Sequence, residues 1–215
     1  MNEVKTDNIH LIKGDCLEVM KNIEDKSIDM ILCDLPYGTT DCRWDTIIPF
    51  EPLWEQYNRI IKDNGAIVLF GTQPFTTLLI ASNIKCYKHS WVWNKRNSAN
   101  IFTAKYNPMK ITEDIIVFSK KGKRVNYYPI MTKADKDVSV YKPTKKTSDL
   151  FTGVKSGTFK AGNNKKGDER YPINLIEFSS RAIKERFHPT QKPVELLKYL
   201  IKTYTNETET VLDNC

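Results

Sequence analysis

The sequence has no apolar run long enough to cross a membrane and little that could hold a metal ion. No run approaches the roughly 18–20 residues of a membrane-spanning helix, and residues 1–7 lack the apolar stretch of a secretory signal. The five cysteines form no Cys-x-x-Cys pair, and the three histidines share no ligand spacing with them. We therefore expect a cytoplasmic protein with reduced thiols and no metal site.

Length and charge bound the class of protein. A chain of 215 residues suits one sizeable domain with a small insert, at roughly 100–200 residues per domain. The net charge of +7 favours an anionic partner, nucleic acid first, although a basic protein without such a partner has the same composition. The excess is local, because residues 120–170 hold fourteen basic and five acidic residues.

Short apolar runs alternate with amphipathic stretches along most of the chain. Residues 28–33 and 66–70 are typical of buried strands, and residues 49–62 and 73–82 are typical of helices with Pro in the first turn. Residues 9–13, 89–95, 113–119 and 173–178 also predict strands. The alternation favours an α/β fold with a doubly wound, mostly parallel sheet.

Asp34 follows the most apolar of these strands and opens the run Asp34-Leu35-Pro36-Tyr37. Ligands of open α/β sheets bind at the carboxyl ends of strands, so Asp34 and Tyr37 are candidate site residues. A strand-terminal Asp before a Pro-Gly turn explains the same run. The order of residue types resembles the Asp-Pro-Pro-Tyr motif of the amino methyltransferases, which methylate N6 of adenine or N4 of cytosine in DNA. Leu35 replaces the first proline of that motif.

The chemistry of amino methylation explains these residue types. The lone pair of an exocyclic amino group is delocalised into the ring, and two acceptors aimed at its N–H bonds would free it. Asp34 can supply one acceptor and the carbonyl of Leu35 the other, while Pro36 restricts the backbone. Tyr37 offers a flat face to a base taken out of the stack. The arrangement needs no side-chain nucleophile.

Further stretches resemble cofactor-binding blocks of the same family. Asp15, after a predicted strand, resembles the Asp near the cofactor adenosine, although an N-cap explains it equally well. The run His-Pro-Thr-Gln-Lys-Pro at 188–193 resembles the cofactor clasp, which implies Thr190, Gln191 and Lys192 at a helix N-terminus, where a carboxylate binds favourably. An ordinary helix start is the alternative. The resemblance also implies cofactor contacts for Asp34 and for Asp213, which ends Val-Leu-Asp.

Two regions are candidate DNA contacts. Lys95, Arg96 and Asn97 lie where the predicted strand 89–95 meets a loop-like stretch at 96–100, and would contact the flipped base or its phosphates, or are merely exposed. The basic insert carries Lys145 and Lys146 among aromatic residues, and either contacts phosphates and bases or is a charged disordered loop. These assignments divide the chain into a catalytic part (1–119), a target-recognition insert (120–185) and the cofactor clasp with the first strand of the binding block (186–215).

The order of these blocks resembles that of the beta-class DNA amino methyltransferases, whose order is permuted. The resemblance implies a Rossmann-like fold, S-adenosyl-L-methionine as cofactor and double-stranded DNA as substrate. Asp34 favours N6 of adenine over N4 of cytosine, for which serine is commoner. The implied setting is prokaryotic or phage-like, with a role in restriction-modification.

The chain stops at Cys215, before the Gly-x-Gly expected after Val-Leu-Asp. We expect a sheet incomplete at its C-terminus and weakened cofactor binding and turnover. An artificially shortened chain, a split or decayed gene, and a chain completed by a partner or in a homodimer are all compatible with this. A non-catalytic DNA-binding remnant or regulatory subunit, an N4-cytosine methyltransferase, and methylation of protein glutamine or RNA remain alternatives.

Overall fold

The computed structural model describes residues 2–40, 42, 45–99, 101–133, 165–166, 169–181, 187–188 and 190–215. By contacts the chain forms two compact units, Met1–Tyr128 with Asn174–Cys215, and Pro129–Ile173. The functional division at residues 119 and 185 remains a prediction.

The first unit contains a six-stranded sheet, a two-stranded hairpin and four helices among its described residues. The strands are β1 (Asn2–Lys5), β2 (His10–Lys13), β3 (Ile28–Cys33), β4 (Ile61–Gly71), β5 (Tyr87–Ala99), β6 (Lys110–Phe118), β10 (Leu175–Glu177) and β11 (Val211–Leu212). The helices are α1 (Cys16–Met20), α2 (Phe50–Ile60), α3 (Phe75–Ser82) and α4 (Val194–Tyr204). No described helix is long and apolar enough to span a membrane.

The central sheet has the strand order β10-β5-β6-β4-β3-β11. Its pairings are parallel except those of β6, which runs antiparallel to both β4 and β5. Five strands therefore end at one edge, and β6 begins at that same edge. The predicted α/β class with a doubly wound, mostly parallel sheet is confirmed.

Alternate residues of each central strand face opposite layers, because side chains alternate along a strand. Ile31 and Cys33 of β3 pack with the first three helices, while Met30 and Leu32 pack with α4. Burial on both faces explains why the strands are continuous apolar runs. Helices on both sides of the sheet complete the doubly wound arrangement.

Helix α2 shows how the sequence encodes one of these layers. Its spacing buries Leu53, Trp54, Tyr57 and Ile60 on one face, as predicted. Each such side chain contributes about 1.5–3 kcal/mol relative to exposure. Glu51 in the first turn and Arg59 in the last suit the helix dipole.

The predicted strand at 9–13 is confirmed as β2, which pairs with β1 in an antiparallel hairpin outside the central sheet. The predicted loop at 96–100 was wrong, because β5 runs through Ala99, where it pairs with β6 again after an irregularity that follows Asn94.

The second unit contains a small antiparallel sheet among its described residues. It consists of β7 (Thr132–Lys133), β8 (Lys165–Lys166) and β9 (Glu169–Arg170), in the order β7-β9-β8. Lys145 and Lys146 of the predicted recognition insert lie outside the described residues.

Candidate active site

Asp34 lies directly after β3, a strand whose six residues are all buried. The carboxylate is partly exposed, with 33% of the side chain accessible. Leu35 turns into the core, where it is 3% exposed, and Pro36 and Tyr37 carry the chain along the edge of the sheet. The predicted motif therefore places a carboxylate and an aromatic ring at the carboxyl edge.

Four polar side chains meet at this edge. The ammonium group of Lys192 lies 2.7 Å from Asp34 Oδ2 and 2.9 Å from Glu113 Oε1. The Tyr37 hydroxyl lies 2.6 Å from Asp34 Oδ1 and 3.0 Å from Glu113 Oε1, so its one proton serves two carboxylates. These contacts close a ring of hydrogen bonds, called here the Asp34 cluster: Asp34, Tyr37, Glu113 and Lys192.

Lys95, beside the Asp34 cluster, balances its charge. Lys95 Nζ lies 3.6 Å from Glu113 Oε2, so two lysines face two carboxylates. Burial alone would lower the pKa of Lys192, but the charges of Glu113 and Asp34 raise it above its ordinary value. Burial and the same two carboxylates raise the pKa of Tyr37. Tyr37 is therefore a neutral hydrogen-bond donor and Lys192 a cation at neutral pH.

Two buried aromatic rings contact members of the Asp34 cluster. The ring of Tyr37 packs against Phe75 with centroids 5.0 Å apart and the planes 31° apart. The ammonium group of Lys192 lies 5.0 Å from the ring centroid of Phe70, where the ring face favours a cation. Phe70 and Phe75 are both 1% exposed, so buried aromatic rings pack against the polar groups on the core side.

The loop after Tyr37 is held by one carboxylate that no sequence motif singles out. Asp45 accepts from the backbone amides of Gly38, Thr39 and Thr40 and from the Thr40 hydroxyl, at 2.7–2.9 Å. Burial opposes the charge, but these bonds lower the pKa of Asp45 to about 2. Gly38 has φ of +65°, a conformation that glycine adopts without strain.

Asp15 is the N-cap of α1, which was the alternative to a cofactor contact in the sequence analysis. Its side chain accepts from the amide of Leu17 at 2.8 Å. It also lines a shallow cavity of about 240 Å³ together with Cys16, Leu17 and residues 46–49. The cavity is small beside the roughly 300–1,000 Å³ of a typical ligand pocket.

The clasp hexapeptide forms a turn that precedes its helix. Gln191 Oε1 accepts from the amide of Phe187 at 2.9 Å, and Thr190 Oγ1 lies 2.8 Å from His188 Nδ1. Helix α4 begins only at Val194, so the amides of Thr190 to Lys192 are not those of its first turn, contrary to the prediction. Of these three side chains, only Lys192 reaches the Asp34 cluster.

Asp213 lies at the end of β11, which pairs in parallel with β3. Burial of its carboxyl group, with a smaller effect from the charge of Asp34, raises the pKa of Asp213. The next residue, Asn214, accepts from the hydroxyl of buried Tyr57 at 2.5 Å, which fixes this end of the strand. Asp34 and Asp213 therefore share one edge of the sheet.

The predicted DNA contacts near Lys95 lie on β5 and not in a loop. Lys95 contacts Glu113, while Arg96 pairs with Glu177 at 3.2 Å and keeps 59% of its side chain exposed. Asn97 donates to the carbonyl of Lys95 at 3.2 Å. Only Lys95 touches the Asp34 cluster.

Glu113 is the site residue that sequence reasoning missed. It was assigned to a strand, and nothing in its surroundings indicated a polar partner. Its hydrogen bond with Tyr37 joins residues 76 apart in the chain. The sequence did contain one indication of a site residue. Glu113 is a carboxylate at the start of a predicted buried strand, whereas Asp34 is a carboxylate at the end of one. Within the described ranges, no group of three or more candidate ligands could hold a metal ion.

Solved structures of methyltransferases resemble this chain. The M1.HpyAVI–SAM complex superposes with a TM-score of 0.55 at 20% identity, covering 94% of this chain and 80% of that one. The cytosine-N4-specific PvuII DNA methyltransferase has a TM-score of 0.58 at 13% identity, covering 93% of this chain and 71% of that one. Likeness at this identity shows the fold, which is that of S-adenosyl-L-methionine-dependent methyltransferases.

Sequence comparison agrees with the fold. The Type II methyltransferase M.HpaI of Haemophilus parainfluenzae is 27% identical over 218 residues, which is 94% of this chain and 62% of the relative. This chain therefore spans less than two thirds of that relative. The DNA methylase family N6_N4_Mtase matches residues 28–214, from the first residue of β3 to the residue after Asp213. The cofactor of this family is S-adenosyl-L-methionine. The match includes every member of the Asp34 cluster, and the chain belongs to this DNA methylase family.

Proposed function

We propose that this chain methylates N6 of an adenine taken out of double-stranded DNA. The observation that carries the proposal is the Asp34 cluster, which holds a carboxylate and a tyrosine ring at the edge of the sheet. S-adenosyl-L-methionine would supply the methyl group: the nitrogen–carbon bond would form as the sulfur–carbon bond breaks, S-adenosyl-L-homocysteine would leave, and the proton lost from the amino group would pass to water.

Asp34 and Leu35 act as the two acceptors for the amino N–H bonds. A carboxylate offers about four lone-pair sites, so the bonds from Tyr37 and Lys192 leave Asp34 able to accept another. These bonds also fix its orientation before the base arrives, which reduces reorganisation during the reaction. The Leu35 carbonyl is the second acceptor, Pro36 restricts the backbone between them, and the Tyr37 ring stacks on the base.

The residues at this edge fit the proposed cofactor. The cavity beside Asp15 has apolar walls from Leu17, Ile47 and Ile48, which suit a flat ring, and Asp15 adds an acceptor. Asp34 and Asp213 supply further acceptors. Lys192 is a cation suited to a carboxylate, with Thr190 and Gln191 in the turn before it. We assign these residues to cofactor binding.

The choice of adenine is supported by Asp34, because serine is commoner at this position in N4-cytosine enzymes. The likeness to PvuII methyltransferase, which is cytosine-N4-specific, keeps N4-cytosine methylation as a second candidate. Mass spectrometry of nucleosides from methylated DNA separates the two. N6-methyladenine supports the proposal, and N4-methylcytosine would replace it with the second candidate.

The test of the reaction is transfer of labelled methyl groups to bacterial genomic DNA. We expect transfer by the wild-type chain and a loss on the order of 10²–10³-fold in Asp34→Asn, because one oriented acceptor is removed. Asp7→Asn, an exposed site on the β1–β2 hairpin, is the matched control and should keep full activity. A folded wild-type chain that binds S-adenosyl-L-methionine by calorimetry but methylates no duplex would contradict the proposal.

We also propose DNA contacts for Lys95, Arg96, Asn97, Lys145 and Lys146. The net charge of +7 supports phosphate binding in general. The bacterial relative supports a prokaryotic cytoplasmic setting.

A further inference from the structure

The hairpin of β5 and β6 projects beyond the sheet next to the Asp34 cluster. The last pairing of β4 joins Gly71 with Asp114, so β6 has no β4 partner from Glu113 outward. The β5–β6 pairing nevertheless extends further, since after an irregularity between Asn94 and Ala99 it resumes with Ala99 opposite Lys110. From Glu113 to Lys110 this adds about 10 Å, at ~3.3 Å per residue.

The tip of this hairpin is an ordered turn. A 3₁₀ helix spans Ile101–Thr103. The amides of Tyr106 and Asn107 both donate to the carbonyl of Thr103 at 2.9 Å, and Ala104 donates to Ile101 at 3.2 Å. Because these bonds fix the backbone, the side chains of the tip are presented in a defined arrangement.

Large apolar side chains on this tip face solvent. Phe102 is 96% exposed, Tyr106 84% and Ile101 68%. Burying an aromatic ring is among the larger gains available to a side chain, so two exposed rings on one ordered turn indicate a surface that binds a partner.

The charge around the tip indicates the chemical class of its partner. Residues 96–112 contain three basic residues, Arg96, Lys105 and Lys110, and no acidic residue. A basic, aromatic hairpin fits a polyanion with apolar faces between its charges, which is DNA with its stacked bases. Glu113, at the base of the hairpin, contacts Tyr37 and Lys192 directly, so the tip and the candidate active site lie at the same edge.

We propose that the tip, residues 101–107, is a wedge that enters the duplex at the target base pair. Phe102 stacks in the space that the target base leaves, and Lys105 and Lys110 contact the flanking phosphates. Inserted apolar side chains offset part of the unstacking cost that base extrusion carries. The inference rests on the proposed function, since it names how the same site receives its base.

The methylated site is first mapped by sequencing DNA that the wild-type chain has methylated. The experiment then compares methylation of two duplexes that contain this site. In one the target base is paired, and in the other it lies opposite an abasic position, where extrusion is easier. We expect Phe102→Ala to lower kcat/KM on the paired duplex roughly ten- to hundredfold and to leave the abasic duplex nearly unchanged. Ile84→Ala is the matched control, because Ile84 is 60% exposed and precedes β5 at the opposite edge.

Equal losses on both duplexes, or no loss on the paired one, would overturn the wedge. A second measurement does not depend on turnover: Phe102→Trp fluorescence is followed as sonicated genomic DNA is added. We expect quenching by stacked bases in Phe102→Trp and none attributable to the new indole in Ile84→Trp. Absent quenching with bound DNA overturns the wedge, whereas quenching without methyl transfer leaves the wedge standing and contradicts the proposed reaction.

Discussion

At the scale of single residues, Lys192 holds two carboxylates that would otherwise repel each other. Its side chain is 13% exposed, and Glu113 is 10% exposed, so water screens these charges poorly. A buried ion pair is a weak source of net stability, but removal of one partner leaves an uncompensated charge. The same ring of bonds orients Asp34, so stability and chemistry are coupled at this point.

Replacing Lys192 should therefore be costly. We expect Lys192→Met to lower the free energy of unfolding by about 3–5 kcal/mol, measured by urea denaturation. The double variant Lys192→Met/Glu113→Gln should lose less than the sum of the single variants, since it also removes one stranded carboxylate. Lys21→Met, at an exposed pair with Glu18, should change stability by at most about 1 kcal/mol. Simple additivity of the two cluster variants would contradict the coupling.

Because the pKa of Lys192 is raised in the folded state, the stabilisation that Lys192 contributes depends on pH. Because the folded pKa lies above the ordinary lysine value of about 10.4, the stabilisation is complete below that pH and is lost as pH rises through the folded pKa. The stability difference between wild type and Lys192→Met should stay constant from pH 7 to 9 and narrow above about 10.4. Narrowing already near pH 8 would show that the two carboxylates do not hold the proton on Lys192.

At the scale of elements, the loop after β3 depends on Asp45. We expect Asp45→Ala to cost about 1.5–3 kcal/mol, because the amides of Gly38, Thr39 and Thr40 would no longer donate to a charged group. Asp45→Asn keeps one acceptor oxygen and should lose about half as much. Asp7→Ala, in an exposed turn, is the control.

The loop should also respond to acid. The folded pKa of Asp45 is about 2, below the ordinary value of about 3.9, so its stabilisation is present above pH 3.9 and is lost as pH falls towards 2. The protection factors of the amides of Gly38 to Thr40, which are corrected for the intrinsic pH dependence of hydrogen exchange, should fall in that window, and in Asp45→Ala they should be low at all pH values. Protection at these amides that survives in Asp45→Ala would contradict the assignment.

The helices and strands that could be predicted are those whose own residues show a clear apolar run or a clear apolar spacing. Strand β3 and helix α2 follow from their apolar runs and spacing, because each buries a complete face. The direction of β6 could not be read, since apolar periodicity is the same in parallel and antiparallel strands. Polar composition made residues 96–99 look like a loop, because a hairpin that projects into solvent has no buried face.

The candidate site divides in the same way. Asp34 and Tyr37 were found because a local motif places them together. Glu113 was missed because only the antiparallel course of β6 brings its first residues to the edge where β3 ends. Lys192 was assigned to the cofactor from its hexapeptide, while its contact with Asp34 spans 158 residues and depends on how α4 covers the sheet.

At the scale of the whole molecule, charge is distributed unevenly along the chain. Residues 120–170 carry a net +9, which exceeds the +7 of the complete chain, so the remainder is slightly acidic. We propose that residues 120–170 supply most of the attraction to a polyanion. Phosphate binding releases counterions, so this attraction should weaken steeply with salt.

Lys145 and Lys146, in this basic stretch, provide the test. We expect Lys145→Ala/Lys146→Ala to weaken binding to duplex DNA and to reduce the slope of log affinity against log salt by about one for each phosphate that is no longer bound. Fluorescence anisotropy at several salt concentrations measures both quantities. Lys198→Ala/Lys202→Ala removes the same charge from the exposed face of α4 and should leave the slope unchanged. If the two double variants share one slope, DNA responds only to net charge, and the basic stretch loses its assignment as the recognition segment.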